Sequence, residues 1–171
     1  MRGGAATLRS RSSVCSHSAA LASIRASRRG GGAPETVTVV RAIARRGTSV
    51  LMVRRAVGDS LGGCWELPGG KVDELADRSE LPLEALAREL REECGLELQG
   101  TPRLLSGAPR VSPTGKLVRE LTFVAEIEEG EEQLSDEHDE VRWHPLHEPY
   151  PGQLTEAAAA GLAALRARDS L

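Results

Sequence analysis

The sequence predicts an α/β fold in which one mixed β-sheet carries a helix on each face. Three observations predict it. Beyond Pro34 the chain falls into short stretches of alternating or β-branched apolar residues. Between them, one segment repeats apolar residues at the 3.6-residue helical period, and an alanine-rich helical stretch follows the last strand.

Residues 1–34 precede this pattern. They are rich in Arg, Ser, Ala and Gly and too poor in large apolar groups to build a core, so they are predicted to be disordered. They read as an organellar transit peptide, being Arg- and Ser-rich and free of acid, as a flexible tail, or as the product of a start codon placed too early. Residues 35–171 are predicted to form one globular domain. "TVTVVRAIA" (36–44) and "SVLMVRR" (49–55) read as two strands joined by the turn "RRGT". Residues 56–79 are Gly-rich, with a brief strand near Trp65 to Leu67. A helix then starts at Pro82, a residue suited to a first helical position, and Gly95 stops it; Leu83, Leu86, Ala87, Leu90 and Cys94 share its apolar face. "RLLSGA" (103–108), "KLVRELTFVAEIEE" (116–129) and "EVRWHPL" (140–146) read as strands. The last helix, 155–168, is capped by Thr155.

Charge and cysteine content narrow the function. Residues 1–34 hold six arginines and no acid, so residues 35–171 carry −9 where the whole chain carries −3. An acidic body argues against a nucleic-acid polymer as partner, and a phosphate-rich substrate would need a bridging cation. Three cysteines (Cys15, Cys64, Cys94) make neither an even disulfide set nor a CxxC site, which predicts free thiols in a reducing, cytoplasmic setting, or an organelle if the leader is a transit peptide. No apolar run is long enough to span a membrane.

The segment "RELREECGL" (88–96) is the most informative. Glu89, Glu92 and Glu93 fall on one flank of the predicted helix, where like charges at helical spacing cost ~0.2–0.5 kcal/mol per pair. The bland reading is a solvated flank screened by Arg88 and Arg91. Against it stands the Gly-rich loop that leads to the helix, whose backbone N–H groups suit phosphate. Carboxylates together with substrate phosphates are the usual way to hold Mg²⁺.

Read from its C-terminal end, the run Glu80, seven residues, Arg88-Glu89-Leu90, Arg91, Glu92-Glu93, Cys94, Gly95-Leu96 resembles the box GX5EX7REUXEEXGU (U apolar) of the Nudix hydrolases, MutT-like enzymes among them. "LMVRR" (51–55), "WELPGGKV" (65–72) and "EVRWHPL" resemble the family's flanks, so the likeness covers roughly residues 36–168. It departs at one place: nine residues separate Gly70 from Glu80 where the family has five. A longer loop is cheap, at ~0.6 kcal/mol per doubling of length. It leaves open whether Glu80, Asp73 or Glu74 takes the place of the first box glutamate.

The resemblance implies a Nudix-type α/β/α sandwich and Mg²⁺- or Mn²⁺-dependent hydrolysis at a diphosphate bridge. Carried over residue by residue, it makes Glu89, Glu92 and Glu93 metal ligands, and it gives catalytic parts to Glu89, Glu80 and Arg88, the last pairing with a box carboxylate. The general base is Glu89 or an acid of "SDEHDE" (135–140). Arg55, Gly69, Gly70 and Lys71 face the substrate, although Arg55 reads equally as an exposed strand end. Trp65 and Trp143 stack on a base or fill the core, with core packing the better reading for at least one; His144 and His147 lack zinc spacing; Cys94 is a buried small hydrophobe. The expected substrate is a nucleoside triphosphate, oxidised or not. "VSPTG" (111–115) supports ADP-ribose or another nucleotide sugar as the alternative, and a non-catalytic nucleotide-binding regulatory module is a second. The protein is expected to be a monomer or homodimer, with no membrane partner.

Overall fold

The computed structural model describes residues 14–15, 36–59, 61–73, 79–111, 116–150 and 152–170. The strands are β1 (Val14–Cys15), β2 (Thr36–Arg46), β3 (Ser49–Arg55), β4 (Trp65–Glu66), β5 (Leu98–Val111), β6 (Leu117–Ile127), β7 (His138–Pro145) and β8 (Leu154–Thr155); the helices are α1 (Pro82–Cys94) and α2 (Glu156–Asp169). The sheet runs β1-β8-β4-β3-β2-β6-β5, and β7 pairs with β3. It is mixed, as expected: β2 and β6 are parallel over ten residue pairs, and β5 and β6 are antiparallel.

Strand alternation sorts side chains to two faces. Val40, Ala42, Ala44, Leu51 and Val53 pack with Ala85, Leu86, Leu90 and Cys94 of α1. Ile43, Val50, Met52, Trp65 and Leu67 pack with Ala158, Leu162 and Leu165 of α2. The result is the expected α/β/α sandwich. Burying one such Leu stabilises by ~1.5–3 kcal/mol.

The hairpin of β2 and β3 is closed only at its turn, where Arg45 faces Val50 and Arg46 faces Ser49. Beyond that the two strands diverge. The chain after β4 fills the opening by pairing with β2: Ala42 N–H donates to Pro68 O and Val40 N–H to Gly70 O, each at 2.8 Å, and Val72 N–H donates to Thr38 O at 2.9 Å. This split in the sheet brings residues 67–72 beside α1.

Helix α1 has Pro82 in its first turn, and the Leu81 N–H donates to the Glu84 carboxylate at 2.9 Å. Gly95 ends it with φ +67° and an N–H to Arg91 O at 3.0 Å, the left-handed cap that glycine adopts without strain. Its buried stripe differs from the expected one: Leu83 is exposed and Ala85 takes its place. The stripe is thereby rotated toward Glu93, which is buried. Thr155 caps α2, its hydroxyl accepting from Ala158 N–H at 3.3 Å.

The cysteine reading needs correction. Cys15 and Cys64 form a disulfide across 49 positions, and β1 pairs in parallel with β8 through Val14–Leu154 and Cys15–Thr155. Two residues of the segment expected to be disordered are thus stapled to the sheet edge; its other residues lie outside those described. Spacing along the chain misses this bond because strand pairing brings the thiols together. Cys94 is free and buried, as expected, with burial pushing its thiol up to about 12. Cys64→Ser is expected to lower stability by ~2–4 kcal/mol. The check is the urea midpoint: a thiol reductant should lower it in the parent protein and leave it unchanged in the variant. No helix among the described residues is long and apolar enough to cross a membrane.

Candidate active site

Five backbone segments meet at the split in the sheet. Helix α1 supplies Glu89, Glu92 and Glu93; the chain after β4 supplies Gly69 and Gly70; β2 and β4 supply Arg41 and Glu66; the start of β7 supplies His138. The turn before β7 is pinned to α1 by Gln133 N–H to Cys94 O (2.8 Å) and Ser135 N–H to Glu93 O (3.2 Å), and to the end of β3 by Ala56 N–H to Glu137 O (2.9 Å). Glu137 is therefore carried to the site.

Arg88 organises the outer half. Its Nε and Nη2 donate to the two oxygens of Glu80, both at 3.0 Å, and Nη1 donates at 3.0 Å to Glu89 and to Glu92. Nη2 also donates to Lys71 O at 2.9 Å. These bonds, to Glu80 above all, raise the Arg88 pKa and hold the Glu80 carboxyl below its ordinary range. Glu80 fills the fork, and Asp73 Oδ2 stands at its edge, 3.7 Å from Nη2. Asp73 also pins the loop: its N–H donates to Glu80 Oε2 at 3.0 Å, and its carbonyl accepts from Glu80 N–H at 2.8 Å. Residues 74–78, Glu74 among them, lie outside the described residues, as do residues 112–115 of "VSPTG".

The inner half is buried. Glu93 accepts from Gly69 N–H at 2.8 Å, and burial pushes its carboxyl up to about 7. Glu89 is raised as well, by burial first, with Glu92 and Glu137 adding negative charge against the pull of Arg88. The glycines are needed at the loop. Gly69 has φ +141°, and a Cβ there would overlap the Val40 carbonyl; one at Gly70 would overlap the Glu89 carboxylate.

Behind Glu93 lies a charged cluster that spacing does not reveal. Glu66, 3% exposed, accepts from Arg55 Nη1 at 2.7 Å, lies 3.2 Å from His138 Nε2 and 3.8 Å from Arg41 Nη1. Burial pushes the Glu66 carboxyl up, but His138, Arg41 and Arg55 outweigh it and hold it below its ordinary range. Arg55 also pairs with Asp59, so its guanidinium is engaged by two carboxylates. The only sign in the sequence is an acid, Glu66, inside a short apolar strand.

The remaining expectations sort clearly. Lys71 has an exposed side chain and lends its carbonyl to Arg88. Glu92 is the most open of the three helix acids, at 58% side-chain exposure against 14% for Glu89. Trp65 is in the core; Trp143 lies under Arg46, whose guanidinium carbon is 4.3 Å from the ring centre. His144 is buried against Tyr150, and His147 is exposed. Among the described residues, no three His, Cys, Asp or Glu side chains stand ready as a metal centre. Glu89 and Glu92 are turned to Arg88. A cavity of about 460 Å³, lined by Cys15, Val57, Asp59, Leu61 and Cys64, opens beside the disulfide, away from the α1 carboxylates.

Comparison with known proteins gives a consistent picture. The family model of the NUDIX domain matches residues 33–165. A Mycobacterium tuberculosis relative, provisionally named an 8-oxo-dGTP diphosphatase, is 51% identical over 53 residues, 31% of this chain and 35% of that protein. The CTP pyrophosphohydrolase of Escherichia coli K12 is 41% identical over 61 residues, 36% of this chain and 42% of that protein. The matches thus span well under half the length of these curated relatives. Among solved structures, the MutT NUDIX hydrolase of Burkholderia pseudomallei superposes with TM-score 0.66 at 28% identity, covering 77% of this chain and 98% of that one.

Proposed function

Since the chain belongs to the Nudix family, we propose that it is a pyrophosphohydrolase dependent on Mg²⁺ or Mn²⁺, cleaving a nucleoside triphosphate, oxidised or not, to the monophosphate and pyrophosphate. The observation that carries this reading is the crowding of Glu89 and Glu93 against the Gly69–Gly70 backbone, with the charges of Glu92 and Glu137 acting on Glu89. Hard oxygen donors with excess negative charge suit a hard dication, and the residues present fit one. Glu89, Glu92 and Glu93 would hold it. Bound there, the ion supplies neutralisation of the diphosphate and a lowered pKa for water.

The protein's own groups then have defined tasks. Arg88 orients Glu80, Glu89 and Glu92 as a single fork. Glu89, with a carboxyl raised by burial, is one candidate proton acceptor, and an acid of residues 135–140 is the other, Glu137 being the one whose charge acts on Glu89. Gly69 and Gly70 let the backbone approach closely, and Lys71, exposed beside them, is the loop's own cation for the phosphates, while Arg55 is held by Glu66 and Asp59. The names of the relatives, an 8-oxo-dGTP diphosphatase and a CTP pyrophosphohydrolase, support a triphosphate as substrate.

The test is product analysis with the full chain on 8-oxo-dGTP, CTP, the other triphosphates and ADP-ribose, with Mg²⁺, Mn²⁺ or EDTA. Pyrophosphate and a monophosphate from one triphosphate, abolished by EDTA, is the expected result. AMP and ribose phosphate from ADP-ribose would reassign the substrate. Tight nucleotide binding without turnover would make the protein a binding module.

A further inference from the structure

We propose that Arg41, in the middle of β2 and outside the box, is a positioning residue: it holds the Leu67–Gly69 backbone so that the Gly69 N–H meets Glu93, and so places that carboxylate for cation binding. The inference rests on the hydrolase reading and adds to it a residue that the box does not contain.

The side chain is unusual for its place. Its neighbours on β2 are Val39, Val40, Ala42 and Ile43, all buried, and its own side chain is 16% exposed. A charge held there is costly unless it is engaged, and the engaged nitrogen is Nη1, Nε having no partner among the described residues. Arg41 Nη1 donates to Gly69 O at 2.8 Å and to Leu67 O at 3.4 Å, and stands 3.8 Å from Glu66 Oε2. Glu66 is in turn fixed by Arg55 and His138. Gly69 is thus held on both sides, its carbonyl by Arg41 and its N–H by Glu93.

Two further contacts show that the held conformation is specific. The Ala42 and Val40 N–H groups bond Pro68 O and Gly70 O on either side of Gly69, leaving the Gly69 carbonyl to Arg41. Gly69 itself has a positive φ and lies against the Val40 carbonyl. If the Gly69 carbonyl loses its partner, its peptide can turn, and the angle at which Glu93 is held changes with the loop. All three contacts are made by the one nitrogen Nη1, so a lysine, whose shorter and more strongly hydrated side chain ends in a single ammonium, reproduces them only in part.

The test compares the full-length parent protein with Arg41→Gln and Arg41→Lys. Mn²⁺ binding is followed by the electron paramagnetic resonance of the free ion without nucleotide, alongside thermal midpoint, kcat and KM. Arg41→Gln is expected to fold, to weaken Mn²⁺ binding by ~10-fold or more and to lower kcat by a similar factor, with KM changed less than ~3-fold. Arg41→Lys should fall between. Wild-type Mn²⁺ affinity in a folded Arg41→Gln overturns the proposal. If that variant does not fold, Arg41→Lys decides: weakened Mn²⁺ binding upholds the role, and unchanged binding overturns it. Loss of fold in both makes Arg41 a core residue only and overturns the role. A parent protein that binds no Mn²⁺ overturns the hydrolase reading and this inference with it, whereas an active parent with unaffected variants overturns the role of Arg41 alone.

Discussion

Glu93→Gln is expected to lose metal-dependent turnover by more than ~100-fold while remaining folded. The amide keeps the acceptor that Gly69 N–H uses and removes the charge that a cation needs. Stability should move in the opposite direction. Burial raises the Glu93 carboxyl from 4.5 to about 7, so between those values the folded protein holds a proton that the unfolded chain has lost. The contribution of this group is fully present below the unfolded value and is lost as pH rises through the folded one. Glutamine is neutral throughout. At pH 8 without metal, the variant should therefore be more stable than the parent, by up to ~3 kcal/mol at 1.36 kcal/mol per unit. At pH 4 the two should be alike. Thermal midpoints in EDTA across this range, with a turnover assay in Mg²⁺, measure both effects. Full Mg²⁺-dependent activity would remove Glu93 from the ligand set.

The second large effect is expected at Arg88. Arg88→Ala releases the carboxylates of Glu80, Glu89 and Glu92 and the Lys71 carbonyl together. Hydrogen bonds to charged groups contribute ~1.5–3 kcal/mol each, and the three-quarters burial of this side chain limits solvent screening. A stability loss of ~2 kcal/mol is expected, together with a ~10–100-fold fall in kcat as the acids lose their common support. Arg88→Lys should recover little, because one ammonium cannot bind both oxygens of Glu80. Urea midpoints and steady-state rates of the two variants test this. An Arg88→Ala enzyme with unchanged kcat would mean that the acids of α1 keep their places unaided.

Legibility in the sequence followed the range of the forces involved. Helix α1 was readable because its period, Pro82 and Gly95 act within a few residues, and the box spacing set Glu80 eight positions from Arg88 however long the preceding loop. The two faces of the sheet could be read from strand alternation. Leu83 was misplaced because Ala85 is apolar enough to bury, and tertiary packing chose between them. Glu66, His138 and Arg41 escaped notice for another reason: they come from three separate strands, and no local pattern joins them. The two-residue strands β1, β4 and β8 are too short to carry a period, so the register that brings Cys15 to Cys64 is set by pairing alone.

That register bears on how the protein should be handled. Trimming the chain to the family-matched residues removes Val14 and Cys15. It leaves Cys64 as an unpaired thiol and uncovers the outer edge of β8 at the same corner. An open strand edge invites a second copy to pair, and an adjacent thiol can then lock the pair covalently. A dimer of such a shortened protein linked through Cys64 would be a product of the cut. Quaternary structure is therefore best measured on the intact, oxidised chain.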